Sequence, residues 1–223
     1  MSSQFAQNEI RDILVAWIIV SIALSFASFL NLLQGIGTFT DLEALAASGI
    51  AAATAFIIHE MGHKFVAQRY NYVAHFQMWR AGLLLLVMTA VISSLVGGFF
   101  LFGAPGAVYI APAAAAGYYG YGYYSTNQRT RDAQTESMWI SLAGPALNLT
   151  FAAVFFSLFL GSGRSTFAYL VSSSGLLLNL GLGSFNMLPV PPLDGYKVFR
   201  KSIPVALAVA LPLWVSFYLL YFA

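Results

Sequence analysis

Long apolar runs of about 20 residues, separated by short polar stretches, dominate this chain of 223 residues. An apolar helix of about 20 residues is long enough to cross the hydrocarbon core of a bilayer. Of the residues, 59% are hydrophobic and 8% are charged, whereas a soluble domain has about 25% charged residues. The pattern predicts an all-α polytopic membrane protein with almost no soluble part. The small net charge of +2, with no basic run, argues against nucleic acid as a partner.

Six of these runs have the length of a membrane span: residues 13–33, 45–68, 81–102, 138–160, 167–185 and 204–222. The third fits either one full span or a hairpin that enters and returns, because serine and glycine pairs interrupt it. Residues 107–110 have strand character, and we interpret them as a short extended segment buried against protein, since lipid does not tolerate an open strand edge. We therefore expect about six transmembrane helices and a short membrane-embedded β segment.

Two stretches between these runs are interpreted as connections. Residues 71–80 are polar and indicate a connector, in which His75 is an interfacial residue rather than a ligand. Residues 111–124 are rich in alanine, glycine and tyrosine. They are typical of an interfacial loop with tyrosines at the headgroups, and a loop that contacts or gates substrate is the alternative.

The second run contains a polar cluster of His59, Glu60 and His63. Histidines at positions i and i+4 lie on one face of a helix, one turn apart, so both imidazoles can reach one metal ion. The glutamate that follows the first histidine is placed to accept a proton from a metal-bound water. Ionisable side chains inside a membrane segment are costly and indicate function by default.

A third ligand is available in Asp194. The chain has no cysteine, so a metal must be held by histidine, aspartate or glutamate. Two histidines and a carboxylate with an open fourth position are typical of a catalytic zinc site, where Glu60 would pass a proton to the leaving amine. The alternatives are a chance occurrence of the histidine pattern and an Asp194 that caps a turn with Gly195.

Two asparagines stand near these residues in apolar or proline-rich surroundings. Asn148 follows the pair Gly144-Pro145, and Asn186 begins a proline-rich break. Either amide could donate to a developing oxyanion or hold a substrate strand. Hydrogen bonding between helices, which is common for asparagine in membranes, is the alternative for both.

These motifs resemble the site-2 protease family of intramembrane zinc metalloproteases. His59-Glu-Met-Gly-His63 matches the family's His-Glu-x-Gly-His motif, and Ala143-Gly-Pro-Ala-Leu-Asn148 matches its Gly-Pro-x-x-Asn element. Asn186-Met-Leu-Pro-Val-Pro-Pro-Leu-Asp-Gly195 matches its Asn-x-x-Pro-x-Pro-x-x-Asp-Gly element. The three occur in the family's order and at helix-sized spacings.

The resemblance implies an enzyme that hydrolyses peptide bonds in or near transmembrane helices of single-span membrane proteins. It implies that one zinc ion is bound by His59, His63 and Asp194, with Glu60 as the catalytic base, and that Asn148 and Asn186 line the site. It also implies a core of three helices that carry the motifs. We expect one transmembrane metalloprotease domain over residues 1–223, with its core at about 44–201 and no PDZ or other soluble domain.

The distribution of lysine and arginine predicts how the chain lies in the cell membrane. If the N-terminus is cytoplasmic and residues 81–137 begin and end on the cytoplasmic side, one of the ten basic residues, Arg164, lies outside, and nine face the cytoplasm: Arg11, Lys64, Arg69, Arg80, Arg129, Arg131, Lys197, Arg200 and Lys201. This orientation places the histidine motif toward the cytoplasmic side. The sequence does not indicate an oligomeric state.

A cleaved substrate must also leave its helical conformation, because helical carbonyls are tied into hydrogen bonds. An extended substrate then needs backbone partners, and strand addition to an edge at residues 106–110 would supply them. Two other functions remain open from the residues: a metal-ion transporter that uses the same ligands, and an inactive relative that binds membrane helices.

Overall fold

The structure, a computed structural model, describes residues 8–96, 103–112, 130–164 and 166–222. Helices form most of it: α1 (Glu9–Leu24), α2 (Phe26–Leu33), α3 (Phe39–Ala52), α4 (Ile58–Arg69), α5 (Arg80–Val96), α6 (Thr130–Gly161), α7 (Phe167–Asn186), α8 (Asp194–Lys201) and α9 (Ile203–Phe222). One π-helical turn, Ala53–Ile57, joins α3 to α4. The strands are β1 (Tyr72–Met78) and β2 (Gly106–Pro112). The expected interfacial loop at 111–124 lies almost entirely outside the described residues.

Within the described residues, four helical segments are long and apolar enough to cross a membrane: Phe39–Arg69, Ala133–Gly161, Phe167–Asn186 and Ile203–Leu220. A fifth span results if α1 and α2 are counted together, although the chain bends by 90° between them. The predicted span at 13–33 therefore corresponds to two helices with a break at Ser25. A mostly helical fold with four or five candidate membrane spans is confirmed, whereas the count of about six spans is not.

The third predicted span, residues 81–102, is described in part. Its described residues belong to α5, Arg80–Val96, and residues 97–102 lie outside the described part. The structure thus leaves open the two interpretations of this run, a full span or a hairpin.

The helices with the predicted motifs pack together at the centre. Helix α6 packs against α4, α7 and α8, and α7 also packs against α3 and α9. A buried apolar cluster, which includes Phe155, Leu180 and Leu213, holds α6, α7 and α9 together. Tryptophan side chains tie neighbouring helices through their N–H groups, since Trp17 donates to the Gly49 carbonyl and Trp214 to that of Ser184.

The β segment is a two-stranded antiparallel sheet in which Phe76 lies opposite Val108. The predicted extended segment at 107–110 is confirmed as part of β2. The prediction of a polar connector at 71–80 is wrong, because most of it forms β1. Its alternation of exposed and buried side chains, with Ala74 and Phe76 inside, follows from the packing of one face on α1 and α4.

One basic residue lies in an unexpected place. Lys64, which was expected to face the cytoplasm, is fully buried, and its ammonium lies 2.7 and 2.8 Å from the two carboxylate oxygens of Glu9. Glu9 is 2% exposed and also accepts a hydrogen bond from the Phe76 N–H. This ion pair therefore ties α1, α4 and β1 together in the interior.

Candidate metal centre

The three predicted metal ligands meet at one point although 131 positions separate His63 from Asp194. His59 and His63 lie one turn apart on α4, and Asp194 is the first residue of α8. The Asp194 Oδ2 atom is 3.5 Å from His59 Nε2 and 3.1 Å from His63 Nε2. The two Nε2 atoms are 3.1 Å apart.

This triangle of donor atoms fits zinc. Zn–N and Zn–O bonds are about 2.0–2.2 Å long, so adjacent ligand atoms of a tetrahedral site lie about 3.3–3.5 Å apart. The three observed separations of 3.1, 3.1 and 3.5 Å are close to that value. The donors thus outline three corners of a tetrahedron, and the fourth corner is available to a reactant.

The histidines have the tautomer that metal binding requires. His63 Nδ1 lies 2.7 Å from the Ile140 carbonyl oxygen, which can only accept, so the Nδ1 carries the proton. His59 Nδ1 is hydrogen-bonded to Asn148 Oδ1. In the neutral rings, both Nε2 lone pairs then point at each other and at the Asp194 carboxylate. Such a set of electron pairs is repulsive by itself and is stabilised by a cation between them.

Two glycines allow this close packing. A Cβ on Gly144 of α6 would lie 2.5 Å from His63 Nε2 and 2.6 Å from His59 Nε2. A Cβ on Gly195 would lie 2.4 Å from the Met187 backbone. Glycine is thus needed at both positions. A side chain at Gly144 would displace the two histidine rings, and a side chain at Gly195 would displace the start of α8, which holds Asp194.

Asp194, the predicted third ligand, is present as a carboxylate. Burial by itself would raise the pKa of Asp194, but when the His63 and His59 rings carry positive charge, their attraction and hydrogen bonds more than offset this and hold the pKa below its ordinary value. Asp194 therefore stays ionised at neutral pH, which is the form that binds a metal ion.

Glu60 and the metal ligands face the same cavity, which has a volume of about 190 Å³. The outer edge of β2 forms another wall, and the Val108 N–H donates to Glu60 Oε2 at 3.1 Å. Other lining residues include Gly106, Ile110, Ser141, Asn186 and Lys197. A carboxylate, three metal donors and a strand edge therefore surround one small space.

The two predicted asparagines occupy different positions. Asn186, the last residue of α7, lines the cavity. Asn148 is fully buried behind His59, where its Nδ2 donates to the Ala55 carbonyl and to Asn179 Oδ1. The observed contacts of Asn148 are those of the interhelical alternative, and a direct contact of either asparagine with substrate stays a prediction.

Sequence reasoning missed several groups around the centre. Asn179 on α7, Ser141 on α6 and Lys197 on α8 sit in apolar or basic stretches without a distinguishing pattern. The Ile140 carbonyl is a backbone group, which no residue type reveals. Asn179 could have been noticed as an amide inside an apolar run. His75 stacks on Tyr109 with ring centroids 6.1 Å apart, and it is not part of the metal-ligand group.

Comparison with curated proteins finds two significant relatives. The chain is 34% identical over 210 residues to "Putative zinc metalloprotease MJ0611" of Methanocaldococcus jannaschii, which covers 94% of this chain and 93% of the relative. It is 39% identical over 74 residues to "Putative zinc metalloprotease YwhC" of Bacillus subtilis, covering 29% of this chain and 34% of that protein. No protein-family model matches the chain, and no solved structure matches it significantly.

Proposed function

Because this chain belongs to the zinc metalloprotease family of its full-length archaeal relative, we propose that it is an intramembrane endopeptidase of the site-2 type. Its substrates are single-span membrane proteins, cut in or near their transmembrane helices, as in regulated intramembrane proteolysis. The observation that carries the proposal is the convergence of the His59, His63 and Asp194 donor atoms at one point, in the same cavity as Glu60.

The residues around the cavity divide the chemistry between them. His59, His63 and Asp194 would hold one zinc ion, which supplies the Lewis acidity that makes water a nucleophile at neutral pH. Glu60 accepts the proton of the attacking water and delivers it to the leaving amine. Asn186, in the cavity wall, is placed to donate its amide N–H to the oxygen of the attacked carbonyl, on which negative charge develops.

The sheet supports an extended substrate. The N–H groups of Phe76 and Val108, which lie opposite each other, both point away from the partner strand, to Glu9 and Glu60. In an antiparallel pair, such residues alternate with those that bond across the ladder. The backbone groups of Gly106, Val108 and Ile110 therefore lie on the cavity side, where a substrate could add as a strand.

The membrane setting supports this substrate class. The helix with both histidines is part of the segment Phe39–Arg69, which is long and apolar enough to span a membrane. The motif lies in the last third of that segment, near Arg69. With the positive-inside distribution of basic residues, we place the protein in the cell membrane with the centre toward the cytoplasm.

A metal-ion transporter would use the same ligands in another way. Transport requires a path that opens to both faces and usually involves repeated halves, and the sequence has no internal repeat. An inactive relative that only binds membrane helices would not require Glu60 or the three metal-ligand residues. Their joint presence therefore argues against this alternative. Both alternatives predict that the function survives replacement of Glu60.

The test compares wild type with Glu60→Gln during co-expression with a panel of tagged single-span membrane proteins. Wild type is expected to release cleavage products, and Glu60→Gln is expected to release none, because the amide cannot accept the proton. Bound zinc, measured by metal analysis of the purified proteins, is expected to be the same in both.

Glu43→Gln is the matched control, since it makes the same change about 25 Å away along the same helical segment. It is expected to cleave like wild type. Cleavage products that persist in Glu60→Gln would contradict the proposal. Metal transport that persists in this variant would favour the transporter.

A further inference from the structure

A chain of hydrogen bonds extends from His59 through Asn148 of α6 to Asn179 of α7. Asn148 and Asn179 are both fully buried, and Asn148 Nδ2 donates to Asn179 Oδ1 at 3.1 Å. Asn179 Nδ2 donates in turn to the Gly175 carbonyl at 2.8 Å and to Thr54 Oγ1 at 3.1 Å. The metal ligand, α6, α7 and the π-helical turn are therefore linked by side-chain amides.

Two backbone carbonyls determine how the amide groups of Asn148 and Asn179 are oriented. The Gly175 carbonyl can only accept, so Asn179 must turn its NH₂ group to it and its Oδ1 to Asn148. The Ala55 carbonyl, 2.9 Å from Asn148 Nδ2, likewise requires the NH₂ group of Asn148. The Asn148 oxygen is then left for His59, whose Nδ1 must be the protonated nitrogen. The Nε2 lone pair is thereby available to a metal.

We propose that Asn179 is a positioning residue of the metal centre, which acts through Asn148 to hold the tautomer and the ring orientation of His59. Outer-shell partners of a ligating histidine stabilise it in this way. The proposal rests on zinc binding by the proposed function, and it does not depend on which peptide is cleaved.

The position of Asn179 supports a role beyond helix packing. A simple hydrogen bond between two helices needs one partner. The Asn179 amide instead bonds to three groups through its oxygen and its NH₂: Asn148 on α6, Thr54 in the π-helical turn, and the Gly175 carbonyl in its own helix. The turn that supplies Thr54 and Ala55 is π-helical, a conformation found frequently at functional sites. It ends two residues before His59, so Thr54 and Ala55 orient the amides from the same segment that holds the ligand.

The experiment measures zinc affinity of purified, detergent-solubilised protein by competition with a chelator. Asn148→Leu is expected to raise the Kd for zinc about 10–100-fold, the range for a lost partner of a ligand. Asn179→Leu is expected to raise it at least threefold. The double variant is expected to bind zinc no more weakly than Asn148→Leu, because Asn179 acts only through Asn148.

Ser172→Ala is the matched control. Ser172 is also fully buried on α7, but its hydroxyl donates to the Tyr169 carbonyl, in its own helix. It is expected to leave the Kd and the visible absorption spectrum of the Co²⁺-substituted protein unchanged, whereas Asn179→Leu is expected to shift that spectrum. If Asn179→Leu does not fold, as judged by thermal unfolding, Asn179→Ser replaces it and is expected to raise the Kd in the same direction.

The outcomes separate this inference from the proposed function. Unchanged zinc affinity in Asn179→Leu, or a double variant whose loss is the sum of the two single losses in free energy, would overturn the positioning role alone. A wild-type protein that binds no zinc would overturn the metal centre and, with it, both proposals.

Discussion

The two outer edges of the β1–β2 sheet have the same backbone chemistry and opposite surroundings. On β1, the outward N–H groups of Phe76 and Met78 donate to the carboxylates of Glu9 and Asp12 on α1. On β2, the outward edge faces the metal cavity, and the Val108 N–H donates to Glu60. An unprotected strand edge can pair with any extended chain. The fold thus covers the β1 edge with the carboxylates of Glu9 and Asp12. It leaves the β2 edge facing the cavity that contains Glu60 and the candidate metal site.

The carboxylates on the two edges differ in how firmly they are held. Glu9 is shared between the Phe76 N–H and the buried ammonium of Lys64, and Lys64 directly follows the proposed metal ligand His63. Glu60 lines a cavity and can exchange its strand contact for a reactant. We infer that the β1 edge fixes the sheet relative to α4, while the β2 edge is the one that changes partners.

The largest expected effect is on the β2 edge. Val108→Pro removes the N–H that donates to Glu60 and blocks strand addition at that position, but it leaves the ladder to β1 intact because this N–H points outward. Cleavage of a tagged single-span substrate is expected to be abolished, with zinc content unchanged. Val108→Thr, which keeps the shape and the N–H, is the control and is expected to keep cleaving. Unchanged cleavage in Val108→Pro would show that this edge does not hold substrate.

A loss of stability is expected at the β1 edge. Glu9→Gln removes the charge that stabilises the Lys64 ammonium and keeps an oxygen for the Phe76 N–H. Because it leaves an uncompensated buried charge, it is expected to lower the free energy of unfolding by about 3–5 kcal/mol. The measurement is unfolding of the purified protein in detergent micelles, with Glu43→Gln as the control.

A second variant separates the charge from the other contacts. Glu9→Gln combined with Lys64→Met removes both charges and is expected to recover most of the lost stability, since replacing a whole buried ion pair is often nearly neutral. If the double variant is no more stable than Glu9→Gln alone, the ion pair is not what closes the β1 edge.

The smallest expected effect is at the end of the same edge. Asp12 accepts from the Met78 N–H at a long distance of 3.4 Å and also pairs with the exposed side chain of Arg11. Asp12→Asn keeps an accepting oxygen, so it is expected to cost less than about 1 kcal/mol of unfolding free energy. Cleavage is expected to stay within about twofold of wild type. A loss as large as that of Glu9→Gln would show that Asp12 also holds the sheet in place.

Local rules were sufficient for much of the fold and the site. The spacing of His59 and His63 predicts a shared helix face by helix geometry alone, and the absence of cysteine reduces the choice of a third ligand to histidine, aspartate or glutamate. Most helices follow from apolar runs, which the bilayer requires to be helical. The break between α1 and α2 at Ser25 could not be predicted, because the apolar run continues through it and contains no strong helix breaker there.

Other features depend on partners that are distant in sequence. Strand β1 was taken for a connector because its polar residues match no simple pattern, and it becomes a strand only by pairing with β2. The position of Lys64 near the end of an apolar run predicts an exposed cation. Its burial depends instead on the carboxylate of Glu9, 55 positions earlier. The role of Asn148 was left between two alternatives, since an amide can serve a substrate or a neighbouring helix equally well.

Residue types and their spacing were enough to identify the available metal donors, the two that share a helix face, and the apolar helices around them. Residue type and helical period are local properties, so they can be read without a fold. The direction in which each carboxylate and amide points came from the packing of distant segments, which brings Asp194 to the histidines, Asn148 behind His59, and Glu9 of α1 to the outer edge of β1. These arrangements depend on how helices pack at glycines and on which groups must share a hydrogen bond once water is excluded.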